Sequence, residues 1–239
     1  MVVTGTLSGP GWSLTVRPMA LPTMTRDDDV FVIDLGDDLN MATAAWVAAM
    51  NDLIDEVEAA GGPKGLVTTS SAPKHYSNGL DTPWMASADS AEIAAYVEVC
   101  FGLVHRIMLL GVPTGAAVTG HAFGLGAFLV LAHDQAVMRE DRGYWNLPEV
   151  HLGMSFPRPL MSVIDARLSH GERRRAVLVG HRYTGPDAAR AGIVDAVAPR
   201  ESLVEEVVER VAAVSGSAGE NLSLIKRQLY PEIASIAAS

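Results

Sequence analysis

The amino-acid sequence predicts an α/β protein of 239 residues whose C-terminal part is mostly helical. Short runs rich in β-branched residues, as at residues 30–33 and 66–69, alternate with longer segments whose apolar residues recur every three to four positions. Glycine, proline and acidic residues lie between the two kinds of segment and mark turns. Beyond about residue 185 the helical spacing dominates, so we expect a core at residues 1–185 and a helical region at residues 186–239.

Hydrophobic spacing predicts the elements in chain order. The strands, which are short and rich in β-branched or small apolar residues, are expected at residues 11–18, 30–35, 65–69, 115–119 and 135–138. The helices, which repeat apolar residues at i, i+3 and i+4, are expected at residues 39–60, 91–110, 127–132, 160–168, 172–180 and 221–230. A short helix followed by a strand is expected within residues 184–194.

Local start and stop signals delimit several of these elements. The charged residues 26–29 predict a turn between the first two strands, and Asp89 or Ser90 is suited to cap the helix at 91–110. Ser202 and Glu205 have the spacing of a capping box, which predicts one more helix in the tail. Its apolar face is expected to need a partner subunit, because a short lobe cannot easily bury it; the face carries Leu203, Val207, Val208, Val211 and Val214.

Composition narrows the classes of function. The formal net charge of −10 argues against nucleic acid as the main partner, although a local basic cluster can still bind a phosphate-bearing ligand. The single cysteine, Cys100, suits a reducing compartment, and no signal pattern or long apolar run indicates export or a membrane partner. We therefore expect a cytoplasmic protein. The seven histidines do not have metal-ligand spacing, so no metal is expected.

Residues 120–126, with the sequence Gly-His-Ala-Phe-Gly-Leu-Gly, form a glycine-rich turn between a predicted strand and a predicted helix. Such a turn leaves the first backbone N–H groups of the helix without partners, at the positive end of the helix dipole. It can therefore bind an oxygen that becomes anionic during a reaction. The alternative is that the glycines only allow the strand and the helix to pack closely.

Glu149 is a lone carboxylate in an apolar run, Asn146-Leu147-Pro148-Glu149-Val150. Beside a turn that offers N–H donors, one buried carboxylate is suited to proton transfer. If the run is a strand, His151 shares a face with Glu149 and neighbours the site. The alternatives are a surface acid at Glu149 and a packing role for His151.

The loop at residues 70–81 follows a predicted buried strand, where α/β proteins often place ligand-binding loops. It contains the cation Lys74, the aromatic Tyr76 and the turn formers Asn78 and Gly79. The alternative is a tight turn at Asn78-Gly79 and a solvated charge at Lys74. Several catalytic motifs are missing: there is no Gly-x-Ser-x-Gly elbow, no phosphate-binding Gly-x-x-x-x-Gly-Lys loop and no complete dinucleotide fingerprint.

Taken together, four segments resemble the crotonase, or enoyl-CoA hydratase/isomerase, superfamily over about residues 13–230. The segments are the Lys74-to-Asp81 loop, the Gly120-to-Gly126 turn, Pro148-Glu149-x-x-x-Gly153, and Gly185-Pro186-x-Ala188-x-x-Ala191-Gly192-Ile193-Val194-Asp195. Within that superfamily the chain is most similar to the plant-type monofunctional Δ3,Δ2-enoyl-CoA isomerases, through Tyr76-Ser77-Asn78-Gly79-Leu80-Asp81, His133-Asp134 and the tail from Lys226 to Glu232. The resemblance implies a crotonase-like spiral of ββα repeats with a C-terminal helical region that builds homotrimers, often paired into hexamers.

The resemblance also implies a set of site residues. An acyl-CoA thioester would place its carbonyl between the backbone N–H groups of Leu80 and Leu125. The family often has glycine at the second position, and a leucine there would narrow the pocket. The adenine and phosphates of coenzyme A would lie near the loop before Leu80 and, as a weaker candidate, near Lys226 on the last helix. The remaining substrate-binding candidates are Lys74, Tyr76, Ser77, Asn78, Gly79, Gly124 and Phe128.

One departure from the family bears on the reaction. The family's hydratases use two glutamates, of which one matches Glu149 and the other falls on Phe128. Hydration must activate water and protonate carbon, whereas a double-bond shift needs one base that moves a proton from C2 to C4. We therefore expect an enoyl-CoA isomerase that needs no cofactor beyond the coenzyme A of its substrate. The alternatives are a hydratase or another crotonase-type enzyme, and a non-catalytic acyl-CoA-binding subunit.

Overall fold

The computed structural model describes residues 19–238 together with the backbone of two short strands nearer the N-terminus. These strands, Thr6–Gly9 (β1) and Trp12–Thr15 (β2), pair antiparallel with each other. The predicted strand at residues 11–18 therefore contains β2, while residues 11 and 16–18 lie outside the described residues. The pair forms a sheet of its own.

A six-stranded sheet forms the centre of the molecule. Its strands, in spatial order, are Ala196–Ala198 (β13), Gln135–Arg139 (β11), Thr114–Val118 (β9), Gly65–Thr69 (β6), Val30–Asp34 (β4) and Thr23–Asp27 (β3). All neighbours are parallel except β3 and β4. The predicted turn at residues 26–29 is too long, because β3 runs to Asp27 and only Asp28 and Asp29 turn. The strand β3 lies at the exposed edge of the sheet and consists mostly of polar residues. It therefore lacks the apolar pattern by which a strand can be predicted from the sequence.

Several very short strands follow the strands of the central sheet along the chain and form smaller sheets. Three of them form a parallel sheet: Trp145–Asn146 (β12), His121–Phe123 (β10) and His75–Ser77 (β7). Met41–Ala42 (β5) and Gly79–Leu80 (β8) form a parallel pair. The chain repeatedly passes from a long strand to a short strand to a helix, which confirms the predicted spiral of ββα turns. The loop predicted at residues 70–81 thus contains β7 and β8.

The helices complete these turns and form the C-terminal region. Their bounds are Ala44–Ala59 (α1), Thr82–Met85 (α2), Ser90–Leu109 (α3), Leu125–Ala132 (α4), Glu149–Leu152 (α5), Arg158–Arg167 (α6), His170–Arg173 (α7), Gly185–Arg190 (α8), Arg200–Ala212 (α9), Glu220–Leu229 (α10) and Pro231–Ile236 (α11). The predicted cap of α3 is confirmed, since Asp89 and Glu92 form a full capping box. None of the described helices is long and apolar enough to cross a membrane.

Three local predictions in the second half of the chain need correction. The helix predicted at residues 172–180 is present, but it begins two residues earlier, as α7, and continues as a π-helical turn at Arg174–Leu178. The capping box at Ser202 does not form, because α9 already begins after Pro199 and the Ser202 hydroxyl donates to the Pro199 carbonyl. The helix predicted at residues 221–230 is not the last one, because α11 follows Tyr230.

The two faces of the central sheet are covered by different helices. The larger core lies on the side of α1, α3, α4 and α6, and α9 covers the other face with Leu203, Val207 and Val211. These three side chains are fully buried within one chain, so this part of the face needs no partner subunit, contrary to the expectation. Val214, at the end of the same predicted face, is 42% exposed. Glycine makes the contact possible: a Cβ at Gly115 would lie 2.6 Å from Val207 Cγ1. The division at residue 186 stays a prediction, and the central sheet extends past it through β13.

Candidate active site

The glycine-rich turn joins β10 to α4, and Gly124 caps the helix with φ at +51°. The N–H groups of Ala127 and Phe128 both donate to the Gly124 carbonyl, at 2.9 and 3.2 Å. The bonding of the helix therefore begins at its third residue, and the N–H groups of Leu125 and Gly126 precede it. The whole of α4 is buried. The predicted helix start lies two residues too late, at Ala127, because the glycine at 126 resembles a turn.

The loop before β8 packs directly against this turn. Gly79 has φ at +86°, and a Cβ there would lie 2.6 Å from the Phe123 carbonyl oxygen and 3.1 Å from the Leu125 nitrogen. Only glycine combines this backbone conformation with this close approach. Leu80 follows in β8. The two backbone segments that hold the predicted donors Leu80 and Leu125 are thus in contact, although 44 residues of chain lie between these two leucines.

The carboxyl group of Glu149 faces the same turn. A Cβ at Gly124 would lie 3.6 Å from Glu149 Oε1, and Oε2 is buried without a hydrogen-bond partner. Glu149 is only 8% exposed, and burial raises the pKa of its carboxyl to about 7. A carboxyl with this pKa can take up and return a proton near neutral pH.

Glu149 is the first residue of α5, so this segment is not a strand. His151 therefore does not share a face with Glu149; it is exposed, and its ring lies against Gly180. The strand on which the predicted proximity of His151 and Glu149 depended is absent, and the alternative of core packing is wrong too, since His151 is exposed. Four residues are too few for helical periodicity to appear in the sequence.

Phe128 occupies the place where the resemblance would put a second acid. Its side chain is fully buried and packs edge-on against Phe156, with ring centroids 6.1 Å apart. Among residues 19–238, Glu149 is the one carboxylate in the buried class. The site therefore combines one buried acid, an apolar wall and a pair of backbone turns.

The sequence profile described as "Enoyl-CoA hydratase/isomerase" matches residues 25–234. The chain belongs to this family. It is 32% identical over 226 residues to the peroxisomal enoyl-CoA delta isomerase 2 of Arabidopsis thaliana, which covers 90% of this chain and 94% of that protein. Enoyl-CoA delta isomerase 3 of the same plant is 30% identical, with 88% and 92% covered. The similarity to plant-type isomerases that the sequence indicates is thereby confirmed.

Solved structures share the fold at lower identity. The human mitochondrial delta3-delta2-enoyl-CoA isomerase superposes with a TM-score of 0.82 at 22% identity, covering 92% of this chain and 86% of that one. A probable enoyl-CoA hydratase from Mycobacterium tuberculosis superposes with a TM-score of 0.81 at 24% identity and 92% coverage of both chains. Since enzymes named for either reaction share this fold, the fold alone does not distinguish an isomerase from a hydratase.

The family resemblance also implied that residues in the loop before β8 bind the substrate. Lys74 is exposed just before β7, and Asn78 is half-buried with its N–H donating to the Leu39 carbonyl. The Tyr76 side chain points into the core, where its hydroxyl bonds to Thr68 Oγ1 at 2.7 Å. Tyr76 can therefore meet a ligand only through its backbone.

Lys226 is not available to a phosphate group in this structure. It is 3% exposed, and its Nζ donates to Asp134 Oδ2 at 2.7 Å and to the Val112 carbonyl at 3.1 Å. Burial lowers the pKa of the ammonium, and Asp134 opposes that shift. The expected phosphate contact is therefore wrong. The sequence of a polar helix predicts that its lysine is exposed to solvent. The pairing of Lys226 with Asp134, a residue 92 positions away, cannot be predicted from the neighbouring sequence.

Two features of the site were not predicted from the sequence. Positive charge gathers beside β7 and β10: Lys74 and Arg142 both lower the pKa of His75 and of His121, after the effect of burial. Asn40, which the sequence places inside a helix, is a fully buried residue with φ at +48° that contacts the site loop. Its position two residues after a pair of aspartates, before an apolar run, was the available signal for a turn.

Proposed function

We propose that this member of the enoyl-CoA hydratase/isomerase family is a Δ3,Δ2-enoyl-CoA isomerase, which converts a 3-enoyl-CoA thioester to the trans-2-enoyl-CoA. The observation that carries the proposal is a single buried carboxyl, Glu149, facing the turn, with Phe128 in place of a second acid. Two relatives at 30% and 32% identity are named enoyl-CoA delta isomerases, which supports the same reaction.

In the proposed mechanism the thioester carbonyl accepts hydrogen bonds from the N–H groups of Leu80 and Leu125. Glu149 removes a proton from C2, and the electron pair of that C–H bond moves into a dienolate whose charge rests on the thioester oxygen. The protonated Glu149 then returns the proton to C4, so the double bond moves from C3 to C2 with no net gain or loss of atoms. Each N–H donor is worth about 2.7–4 kcal/mol in such a site.

The raised pKa of Glu149 fits this shuttle. A carboxylate with an ordinary pKa is a poor base toward carbon, whereas one whose pKa is about 7 is a stronger base and is still half ionised at neutral pH. The same burial argues against a non-catalytic acyl-CoA-binding subunit, because Glu149 Oε2 is buried without a hydrogen-bond partner, which is costly to keep unless the carboxyl has a task.

The coenzyme A end of the substrate is proposed to lie at the loop before β8. Lys74 is exposed there, and Arg142 adds a second positive charge to this region of an otherwise acidic protein. The phosphate groups of coenzyme A are the matching charge. The backbone of Asn78 and Gly79 is proposed to border the thioester arm, as a continuation of the strand that positions Leu80.

We also propose that the protein is a homotrimer or a hexamer in the cytoplasm. Apolar side chains on and near α5, the helix that begins with Glu149, are largely exposed in the single chain. They are Leu152 at 58%, Leu178 at 68% and Val179 at 61%. These side chains lie on α5 and at the end of the π-helical turn, and exposed apolar side chains that lie together mark a surface for binding another protein. The free, buried Cys100 fits any reducing compartment.

The test of the function compares two reactions on the same pure protein. The rate of conversion of 3-hexenoyl-CoA to the conjugated 2-enoyl thioester is measured by absorbance, beside the rate of hydration of crotonyl-CoA. An isomerase with one acid should favour the first reaction by a large factor. Comparable rates would reject the single-acid interpretation and favour a hydratase.

A further inference from the structure

We propose that Asn40 and Ser77 are positioning residues that set the direction of the Leu80 N–H group in the oxyanion hole. The inference rests on the proposed function, because it assigns a role within the same site. Both side chains are fully buried, and both bond to the short segment that ends in the donor.

Asn40 holds three separate parts of the chain at one point. Its Nδ2 lies 3.2 Å from the Gly36 carbonyl oxygen, 2.8 Å from Ser70 Oγ and 3.0 Å from the Tyr76 carbonyl oxygen, so its two hydrogens are shared among three acceptors. Its backbone has φ at +48°, a conformation that asparagine tolerates better than most residues. The residue immediately precedes β5, the strand that pairs with β8. Asn40 therefore fixes both the partner strand and the loop that leads to Leu80.

Ser77 connects Asn40 to the glycine before the donor. The Ser77 hydroxyl donates to the Asn40 carbonyl at 2.8 Å, and its oxygen accepts the Gly79 N–H at 3.2 Å. The Ser77 carbonyl meanwhile lies against α4, where a Cβ at Gly126 would come within 2.3 Å of it. The serine thus stands between the strand pair and the helix that carries the second donor.

The need for this connection follows from Gly79. The close approach of Phe123 and Leu125 excludes a side chain at residue 79, and glycine has the least restricted backbone of all residues. A flexible residue directly before an oxyanion donor would let its N–H group change direction. Gly79 has no side chain that could restrict its backbone. The hydrogen bond from the Gly79 N–H to Ser77 Oγ restrains the backbone instead.

A positioning role predicts a particular kinetic signature. A donor that points a few tens of degrees away loses strength mainly for the oxygen that becomes anionic, so kcat falls while KM changes little. A shift of about 1 Å in a catalytic group can cost about a hundredfold in rate. We expect Ser77→Ala and Asn40→Gly, which keeps the positive φ accessible, to lower kcat by about tenfold to a hundredfold with KM within about threefold.

The experiment combines kinetics with a readout that does not depend on turnover. The carbonyl stretching frequency of bound crotonyl-CoA, measured by infrared difference spectroscopy, reports the strength of the oxyanion hole directly. Wild type should lower this frequency on binding, and both variants should lower it less. Thr114→Val is the matched control, since it removes a buried hydroxyl that bonds to Asp134, away from the site; it should lose stability but keep kcat and the frequency shift.

The outcomes separate the two proposals. If wild type shifts the carbonyl frequency but does not isomerise 3-hexenoyl-CoA, the proposed function fails and the effect of the variants on the frequency still tests the positioning role. If Ser77→Ala keeps both the wild-type kcat and the wild-type frequency, or raises only KM, the positioning role is overturned. Ser77→Ala removes a single oxygen and decides the question if Asn40→Gly does not fold.

Discussion

At the scale of single residues, the proposed chemistry depends on one carboxyl group held in an apolar setting. Glu149 has Gly124 in front of it, and its Oε2 has no hydrogen-bond partner. Phe128 and Phe156 close the position from which a second acid would act. The reaction that such a site can support is one in which the same group accepts and returns a proton.

Replacing Glu149 by glutamine removes the base and keeps the size of the side chain. We expect Glu149→Gln to lower kcat for 3-hexenoyl-CoA by at least about a thousandfold, within the range for a lost general base. Binding of a CoA ester, measured by calorimetry, should change by less than about threefold. Retained isomerase activity would show that another carboxyl is the catalytic group.

The pKa of Glu149 also makes a prediction for stability. Its carboxyl has a pKa of about 7 when folded and 4.5 as the reference value, so the folded state binds the proton more tightly. The stability that this group contributes is fully present below pH 4.5 and is lost as the pH rises to 7. Glu149→Gln should therefore be more stable than wild type at pH 8, by up to about 3 kcal/mol, and the difference should vanish near pH 4.5. Denaturant unfolding at the two pH values measures it.

Lys74 is expected to act on substrate binding alone. Lys74→Ala should raise KM for a CoA ester several-fold and leave kcat nearly unchanged, because the phosphates are remote from the reacting carbons. The affinity of wild type should fall as salt is added, and that of the variant should fall less steeply. A KM equal to that of wild type would remove Lys74 from the site.

At the scale of elements, in contrast to the exposed Lys74, the buried Lys226 is expected to contribute to stability rather than to substrate binding. It anchors α10 to Asp134 at the end of α4. Lys226→Ala should lower the free energy of unfolding by about 3 kcal/mol, at the lower end for a buried ion pair because Asp134 is partly exposed. KM should stay as in wild type. Lys74→Ala serves as the control, with the opposite pair of effects.

The elements also show which structure can be predicted from the sequence. The helix α3 could be predicted because a capping box and a long apolar stripe agree over 20 residues. The strands β7 and β8 and the helix α5 have two to four residues each, too few for any period to appear. Their structure comes from neighbours in space, as β8 from its pairing with β5.

The candidate site divides in the same way. Glu149 and the two turns could be identified from residue type and spacing, since a lone acid and adjacent glycines are visible in the sequence. Asn40, Ser77 and Lys226 could not be assigned their contacts, because each bonds to residues more than 30 positions away. Residue type alone places such side chains on the surface.

At the scale of the whole molecule, the exposed apolar side chains of α5 and the π-helical turn predict self-association. Light scattering at micromolar concentration should give the mass of a trimer or a hexamer. Leu178→Glu places a charge on this surface and should shift the distribution toward smaller species, with Leu224→Glu on α10 as a second exposed leucine for comparison. A wild-type protein that is monomeric throughout would contradict the proposed assembly.

The position of α9 has a consequence for how the chain acquires its structure. This helix is the cover of one sheet face, yet it is made after every strand that it contacts in β4, β6, β9 and β11. During synthesis the apolar side chains of Val30, Val67 and Val137 therefore stay uncovered until a segment 60 to 180 residues downstream has been made. Contacts of such long range are slow to form, and an uncovered sheet face is prone to aggregate. We therefore expect the nascent chain to be most prone to aggregation in the interval before residues 200–212 emerge.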